Sequence, residues 1–217
     1  MTEPRPLVIK IGGGLLRDEG LDGLRHACAD VVELSRRQPV LVVPGGGPFA
    51  DAVRAVDAQV ALSDEVAHAL ALRAMDQLGV VLVSLLPALE PLARLAAPHG
   101  LGLVTAATAF ADRAGIPESW AVTSDSLAVL AAGVIGAEEV VLLKPVAGVM
   151  ARWPSEGPPL ARLTAGELQA LQDGGGGRAV DPYMPEAVRR TGVAVVVRRP
   201  ASGPASSPVT GTRIVAG

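Results

Sequence analysis

Short apolar runs that end in glycine alternate along this chain with longer stretches of helical spacing. Leu7 to Ile11 is apolar except for Lys10 and stops at Gly12-Gly13-Gly14, which reads as a buried strand followed by a tight turn. Leu24, Cys28, Val31 and Leu34 recur at helical spacing and predict a helix over 21–37, ended near Pro39. Val40 to Val43 is a second strand, running into Pro44-Gly45-Gly46-Gly47-Pro48. A helix starts at Phe49 and continues to Val56. Another spans Leu62 to Leu78, with Ser63 or Asp64 as its N-cap. The apolar stretch from Val80 to Leu95 holds Pro87 and Pro91 and reads either as helix or as strand plus helix.

Gly102 to Thr105 carries a weak strand signal, and Trp120 to Thr123 a short strand or a turn. Ser124 to Val134 reads as a helix capped by Ser124, with Asp125 in the first turn, where negative charge is favoured. Val140 to Leu143 is a buried strand that delivers Lys144, and Pro145 to Gly148 turns the chain away. Residues 151–160 are expected to be loop. A Thr-x-x-Glu capping box at Thr164 and Glu167 opens a helix to Leu171. Asp173 to Gly177 is expected to be irregular and mobile. A short helix over Pro185–Arg190, a Val-rich strand over Gly192–Val197, a loop over 202–208 and a closing strand over Gly211–Val215 complete the pattern. Alternating strands and helices, with strands apolar throughout, predict one α/β domain whose mainly parallel sheet carries helices on both faces.

Composition narrows the chemistry. The 217 residues suffice for a large core, and 49% are hydrophobic, but only 2% are aromatic. Aromatic stacking platforms for nucleic acid bases are therefore not expected, and a net charge of −3 opposes a nucleic-acid surface. Cys28, the single cysteine, excludes an intrachain disulfide and sits on an apolar helical face. No signal peptide or membrane span is expected, so the chain reads as cytoplasmic. Of 19 basic residues, only Lys10 and Lys144 are lysines, and both close apolar strand-like runs. In such an arginine-rich chain, a retained lysine points to chemistry.

Two strands end in triple glycine, each before a helix. Glycine lets backbone approach a ligand closely, and successive N–H groups form an anion-binding concavity at the carboxyl ends of parallel strands. No GxxxxGK[ST], GxGxxG, HExxH or GxSxG pattern is present, and three histidines with one cysteine do not suggest a protein metal site. Phosphoryl transfer needs charge neutralisation and in-line positioning. Lys10 can reach a phosphate held by Gly12, Gly13 and Gly14, and Lys144 can approach the same phosphate. Asp125 would orient the lysines or a metal-bound nucleotide.

VIKIGGG, VVPGGGPFADAVR, WAVTSDSLAVLAA and VVLLKPVAGV, in this order, resemble the amino acid kinase superfamily from Leu7 to about Val197. The resemblance implies a three-layer α/β/α sandwich over residues 1–217, with an acceptor part over about 1–139 and an ATP part over about 140–217. It implies ATP and Mg²⁺ as cofactors, Lys10, Asp125 and Lys144 as the catalytic set, and Gly12–Gly14, Gly148 and Arg178 beside the nucleotide. Gly45, Gly46, Gly47, Asp51, Arg54, Asp64, His68, Thr123 and Ser124 are the expected acceptor residues. Arg54 would bind an acceptor phosphate bidentately, unless it is an ordinary exposed helix arginine.

LSDEVAHALALRAMDQLG and SWAVTSDSLA resemble the methanofuran-biosynthesis subgroup of that superfamily. That likeness implies a furan-methyl phosphate as acceptor and a diphosphate as product. A carboxylate in this stretch would hold the acceptor's aminomethyl cation. Other members act on uridylate, isopentenyl phosphate or acidic amino acids, and some bind anions without turnover. Other members also carry a lysine before the last helix. AVDPYMPEAVRR has none, so Arg178 or Lys144 would replace it. A homo-oligomer is expected from the resemblance, and aspartokinase-type regulation is not.

Overall fold

Five consecutive buried residues form the first strand, β1 (Leu7–Ile11). After it come α1 (Gly13–Ser35), β2 (Val40–Pro44), α2 (Gly47–Val60), α3 (Asp64–Leu85), β3 (Glu90–Leu92), β4 (Leu101–Val104) and α4 (Ala106–Ala109). The chain continues through α5 (Ser124–Ile135), β5 (Glu139–Leu143), β6 (Arg162–Thr164), α6 (Ala165–Asp173), α7 (Met184–Thr191), β7 (Ala194–Arg198) and β8 (Thr212–Val215). The structure, a computed structural model, describes residues 4–111, 115–152, 157–201 and 211–217. The loop expected at 202–208 and part of that at 151–160 lie outside these.

The strands form one eight-stranded sheet in the order β3-β4-β2-β1-β5-β7-β8-β6. Only the β7–β8 pair is antiparallel. Between β1 and β2 the chain moves to one side of β1, and it later returns to the other side at β5. That reversal opens a crevice at the carboxyl ends of the central strands, where open α/β sheets bind ligands. Register sharpens it: Ile11 lies level with Pro44 on one side and Leu143 on the other. Gly12, Gly45 and Lys144 therefore leave the sheet side by side.

Alternation along the strands separates two cores. Ile9 and Ile11 of β1 pack with Leu15, Leu24 and Val31 of α1 and with Leu78 and Leu82 of α3. Val8 of β1, Leu41 and Val43 of β2, and Val140 and Leu142 of β5 face α5, α6 and α7. Two helical layers thus enclose the sheet, giving the three-layer sandwich. The period of two places Lys10 on the same face as Val8, toward α5. Helix α5 is buried from Ser124 to Ala132, as a helix apolar nearly all round must be.

The structure differs from the sequence reading in several places. Helix α3 runs on to Leu85, so the ambiguous apolar stretch continues the helix and then gives the short edge strand β3. Its cap is Ser63, whose side chain accepts from the Val66 N–H. By length and composition alone α3 could cross a membrane, but here it packs on α1, α2, β2 and β4. Helix α1 begins at Gly13 and bends at Gly20, whose φ of 64° leaves the helical region. Thr123 rather than Ser124 caps α5, because its hydroxyl accepts from the Asp125 N–H. The box at Thr164 and Glu167 forms as expected. Gly174–Gly177 is irregular, as expected; Gly174 and Gly176 donate to the Ala170 and Leu171 carbonyls, and Gly176 and Gly177 are buried.

Candidate active site

Three chain segments bring Lys10, Asp125 and Lys144 together. Lys10 arrives on β1, Lys144 directly after β5, and Asp125 in the first turn of α5. The Lys10 ammonium lies 2.7 Å from Oδ1 of Asp125, in a close ion pair. Lys144 donates to the other oxygen, Oδ2, and to the carbonyl of Ala179. The Lys144 N–H is itself tied to the Arg198 carbonyl at 2.9 Å, which holds the base of its side chain against β7. Asp125 and Lys10 are 3% and 4% exposed, so water screens this cluster little.

Burial by itself would push the Asp125 carboxyl up, but the two ammonium groups hold it well below the usual carboxylate range. Asp125 is therefore a carboxylate throughout the neutral range. Burial lowers the pKa of Lys10, Asp125 opposes that, and Lys144 adds to it. Each ammonium has three donors, and Asp125 occupies one from each. Lys144 spends a second donor on the Ala179 carbonyl, and the donors left on the two lysines border the cavity. Activity that needs a charged Lys10 is expected to fall, as pH rises, at a value below the ordinary lysine pKa of 10.5. The alkaline limb of the turnover–pH profile measures it.

Above the cluster opens a cavity of about 360 Å³, within the range of small-molecule sites. Gly12, Gly13, Gly14, Gly46 and Gly47 line it, together with Asp51, Arg54, His68, Thr123, Ser124 and Arg178. The two glycine turns touch. A Cβ on Gly13 would sit 2.1 Å from the Gly47 nitrogen, and Gly47 has a φ of 53°. Only glycine allows the first turns of α1 and α2 to meet here, and first-turn N–H groups are those a helix leaves for a ligand. Burial lowers the His68 pKa, with Glu118 opposing, which favours a neutral imidazole in the wall.

Three expected residues stand elsewhere. Gly45 lies beneath the cavity, its N–H donating to the Ile11 carbonyl at 2.9 Å. Asp64 is exposed at the start of α3 and borders a separate small recess beside His68 and Trp120. Gly148 has already turned toward β8, where a Cβ would meet the Thr212 hydroxyl at 2.5 Å. Arg178 reaches the cavity and donates to the Gly175 carbonyl at 3.1 Å.

Other residues line the cavity or stand behind it without having been anticipated. Arg17, one turn beyond Gly14, pairs with Asp51 at 3.2 Å, and Asp51 pairs in turn with Arg54. The Arg54 guanidinium lies 4.6 Å from the centre of the Trp120 ring. Trp120 donates through Nε1 to Asp57 at 2.8 Å, so the ring is held from both sides. Asp181 is buried behind α5 and accepts from Thr123 and Ser126. The spacing of Arg17 from Gly14 was the one local signal available. Trp120 and Asp181 reach the site only through long-range packing.

Two ammonium groups, a shared carboxylate and paired glycine turns suit a phosphoryl group in transit. Among the described residues no three His, Cys, Asp or Glu side chains converge to cage a metal ion. The donors fit the phosphates of a nucleotide, which would themselves carry Mg²⁺.

Known proteins share this fold. A [5-(aminomethyl)furan-3-yl]methyl phosphate kinase of Methanocaldococcus jannaschii is 26% identical over 171 residues, covering 76% of each chain. Uridylate kinase of Archaeoglobus fulgidus superposes with a TM-score of 0.71 at 17% identity, covering 96% of this chain and 99% of that one. UMP kinase of Bacillus anthracis gives 0.73 at 15% identity, covering 99% and 97%. Residues 5–94 and 89–199 match the amino acid kinase family, and the chain belongs to that family of phosphotransferases.

Proposed function

We propose that this protein transfers the γ-phosphoryl group of ATP to the phosphate of [5-(aminomethyl)furan-3-yl]methyl phosphate, giving the diphosphate used in methanofuran or methylofuran biosynthesis. The observation that carries the reading is the Lys10–Asp125–Lys144 cluster set between two glycine turns. Residues up to about 139 hold the acceptor, and those from about 140 hold the nucleotide. Lys10 and Lys144 neutralise the equatorial oxygens of the moving phosphoryl group, while Asp125 holds both ammonium groups in place. Mg²⁺ held by the nucleotide phosphates would add further charge neutralisation there.

An acceptor that already carries a phosphate needs its own cation. Arg54, stacked on Trp120 and paired with Asp51, supports that role, with Arg17 beside it. Arg54→Ala is expected to raise KM for the acceptor by about tenfold or more, because a charge-assisted hydrogen bond contributes about 1.5–3 kcal/mol. KM for ATP is expected to change little in the same kinetic series.

The deciding assay is turnover of ATP with Mg²⁺ against the furan phosphate, UMP, isopentenyl phosphate, aspartate and glutamate, followed by ³¹P NMR. A diphosphate from the furan compound, at a higher kcat/KM than from the others, is the expected result. Preference for UMP or another acceptor overturns the furan assignment. Nucleotide or oxyanion binding without turnover on any acceptor overturns the kinase reading and favours anion storage. A homo-oligomer is expected by light scattering.

A further inference from the structure

We propose that Asp181 is a positioning residue for phosphoryl transfer, locking the first turn of α5 to the segment that holds Lys144. The inference rests on the kinase reading of the Lys10–Asp125–Lys144 cluster and adds a second buried carboxylate to it. Asp181 is 6% exposed and lies on no strand or helix, just ahead of α7. Its Oδ2 accepts from the Thr123 N–H at 2.9 Å, the Thr123 hydroxyl at 2.9 Å and the Ser126 N–H at 3.0 Å. Its Oδ1 accepts from the Ser126 hydroxyl.

Those donors flank Asp125 in sequence. Thr123 caps the helix through the Asp125 N–H, so Asp181 holds the cap that holds Asp125. Two residues before Asp181, the Ala179 carbonyl accepts a hydrogen bond from Lys144. Gln172 of α6 donates to the Asp181 carbonyl at 3.0 Å and fixes the segment from the other side. One stretch of chain, residues 179–181, therefore grips Lys144 directly and Asp125 through its neighbours Thr123 and Ser126. A carboxylate at the N-terminal turn of α5 is also favoured by the helix dipole.

A residue that only filled space here would not need a charge. The charged groups facing Lys10 are Asp125 from α5, Lys144 from the end of β5, and Asp181. Asp181 raises the Lys10 pKa against the effect of burial. Burial and the neighbouring Asp125 raise the pKa of Asp181, while its bonds from Ser126 and Thr123 oppose them. Two ammonium groups thus stand against two carboxylates. Removing one carboxylate charge makes Lys10 easier to deprotonate.

The test is Asp181→Asn, which keeps shape and most acceptor capacity but removes the charge. Turnover is expected to fall about tenfold with KM for the acceptor nearly unchanged, since the loss lies in preorganisation of the reacting groups. The alkaline limb of the pH profile is expected to move to lower pH. Lys10 and Lys144 are the only lysines in the chain, so ¹³Cε-lysine labelling gives two NMR signals, assigned with Lys144→Arg. The Lys10 signal is expected to titrate at lower pH in the variant than in the parent protein.

A stabilising role alone predicts a lower Tm with an unshifted Lys10 titration and normal turnover per folded molecule, and that result overturns the proposal. If Asp181→Asn does not fold, Ser126→Ala removes one donor to the same carboxylate. Its expected effects are a turnover loss of about threefold and a downward Lys10 shift, and absence of both is equally decisive. Lack of turnover in the parent protein would defeat the kinase reading instead, and the NMR titration would still report on Asp181.

Discussion

Asp125→Ala is expected to cut turnover by at least about a hundredfold, the scale on which removal of preorganised transition-state electrostatics is felt. Both Asp125 oxygens are committed, one to Lys10 and one to Lys144. Without the carboxylate, two buried ammonium groups face each other and repel. Lys144, the more exposed of the two, is then free to swing into the cavity. The moving phosphoryl group would meet cations in the wrong places, so the loss belongs mainly in kcat. Lys10→Ala is expected to cost about as much, and the double variant little more than either single one, because groups acting as a unit are not additive. Circular dichroism and Tm measured alongside the kinetics separate this from unfolding. Near-normal rates in Asp125→Ala would remove it from the site.

Gly13→Ala is the second large effect, and its origin is steric. The added methyl would lie 2.1 Å from the nitrogen and 2.3 Å from the Cα of Gly47. Both contacts are backbone, so no side chain can move aside. One of the two glycine turns must shift, carrying the first turn of α1 or α2 with it. Overpacking of this kind costs about 1–3 kcal/mol in stability. Displacement of about 1 Å among positioned groups can cost about a hundredfold in rate, so turnover is expected to fall further than Tm suggests. Gly174→Ala is the control. Gly174 has a φ of −82°, and a Cβ there meets nothing closer than 3.5 Å. Thermal melts and turnover of the control are expected to match the parent protein.

Much of this site was legible along the chain. A strand apolar except for one lysine, stopping at three glycines, has few other meanings. The same local logic found β2, β5 and the capping box at Thr164. Where tertiary contacts outvote local preference, the reading failed. Ser124 looked like a cap, but it is buried against the core and Thr123 takes the role. Gly174–Gly177 is irregular, as expected, and within it Gly176 packs so closely that a Cβ would meet the Ala151 carbonyl at 2.6 Å. The short strands β3 and β6, of three residues each, are too brief to leave a periodic signal.

The sequence by itself determined the alternation of elements, the two glycine turns and the retention of just two lysines, because each follows from residue type and near-neighbour spacing. The tertiary structure decided that β1 lies between β2 and β5, that Lys10 faces α5, that Arg17 and Trp120 line the cavity and that Asp181 backs the start of α5. Those facts depend on sheet order and on contacts across 58 positions between Thr123 and Asp181, and across more than that between Lys10 and Asp125. Local spacing carries no record of such distances. They arise only when burial of two apolar faces brings the strands into one sheet.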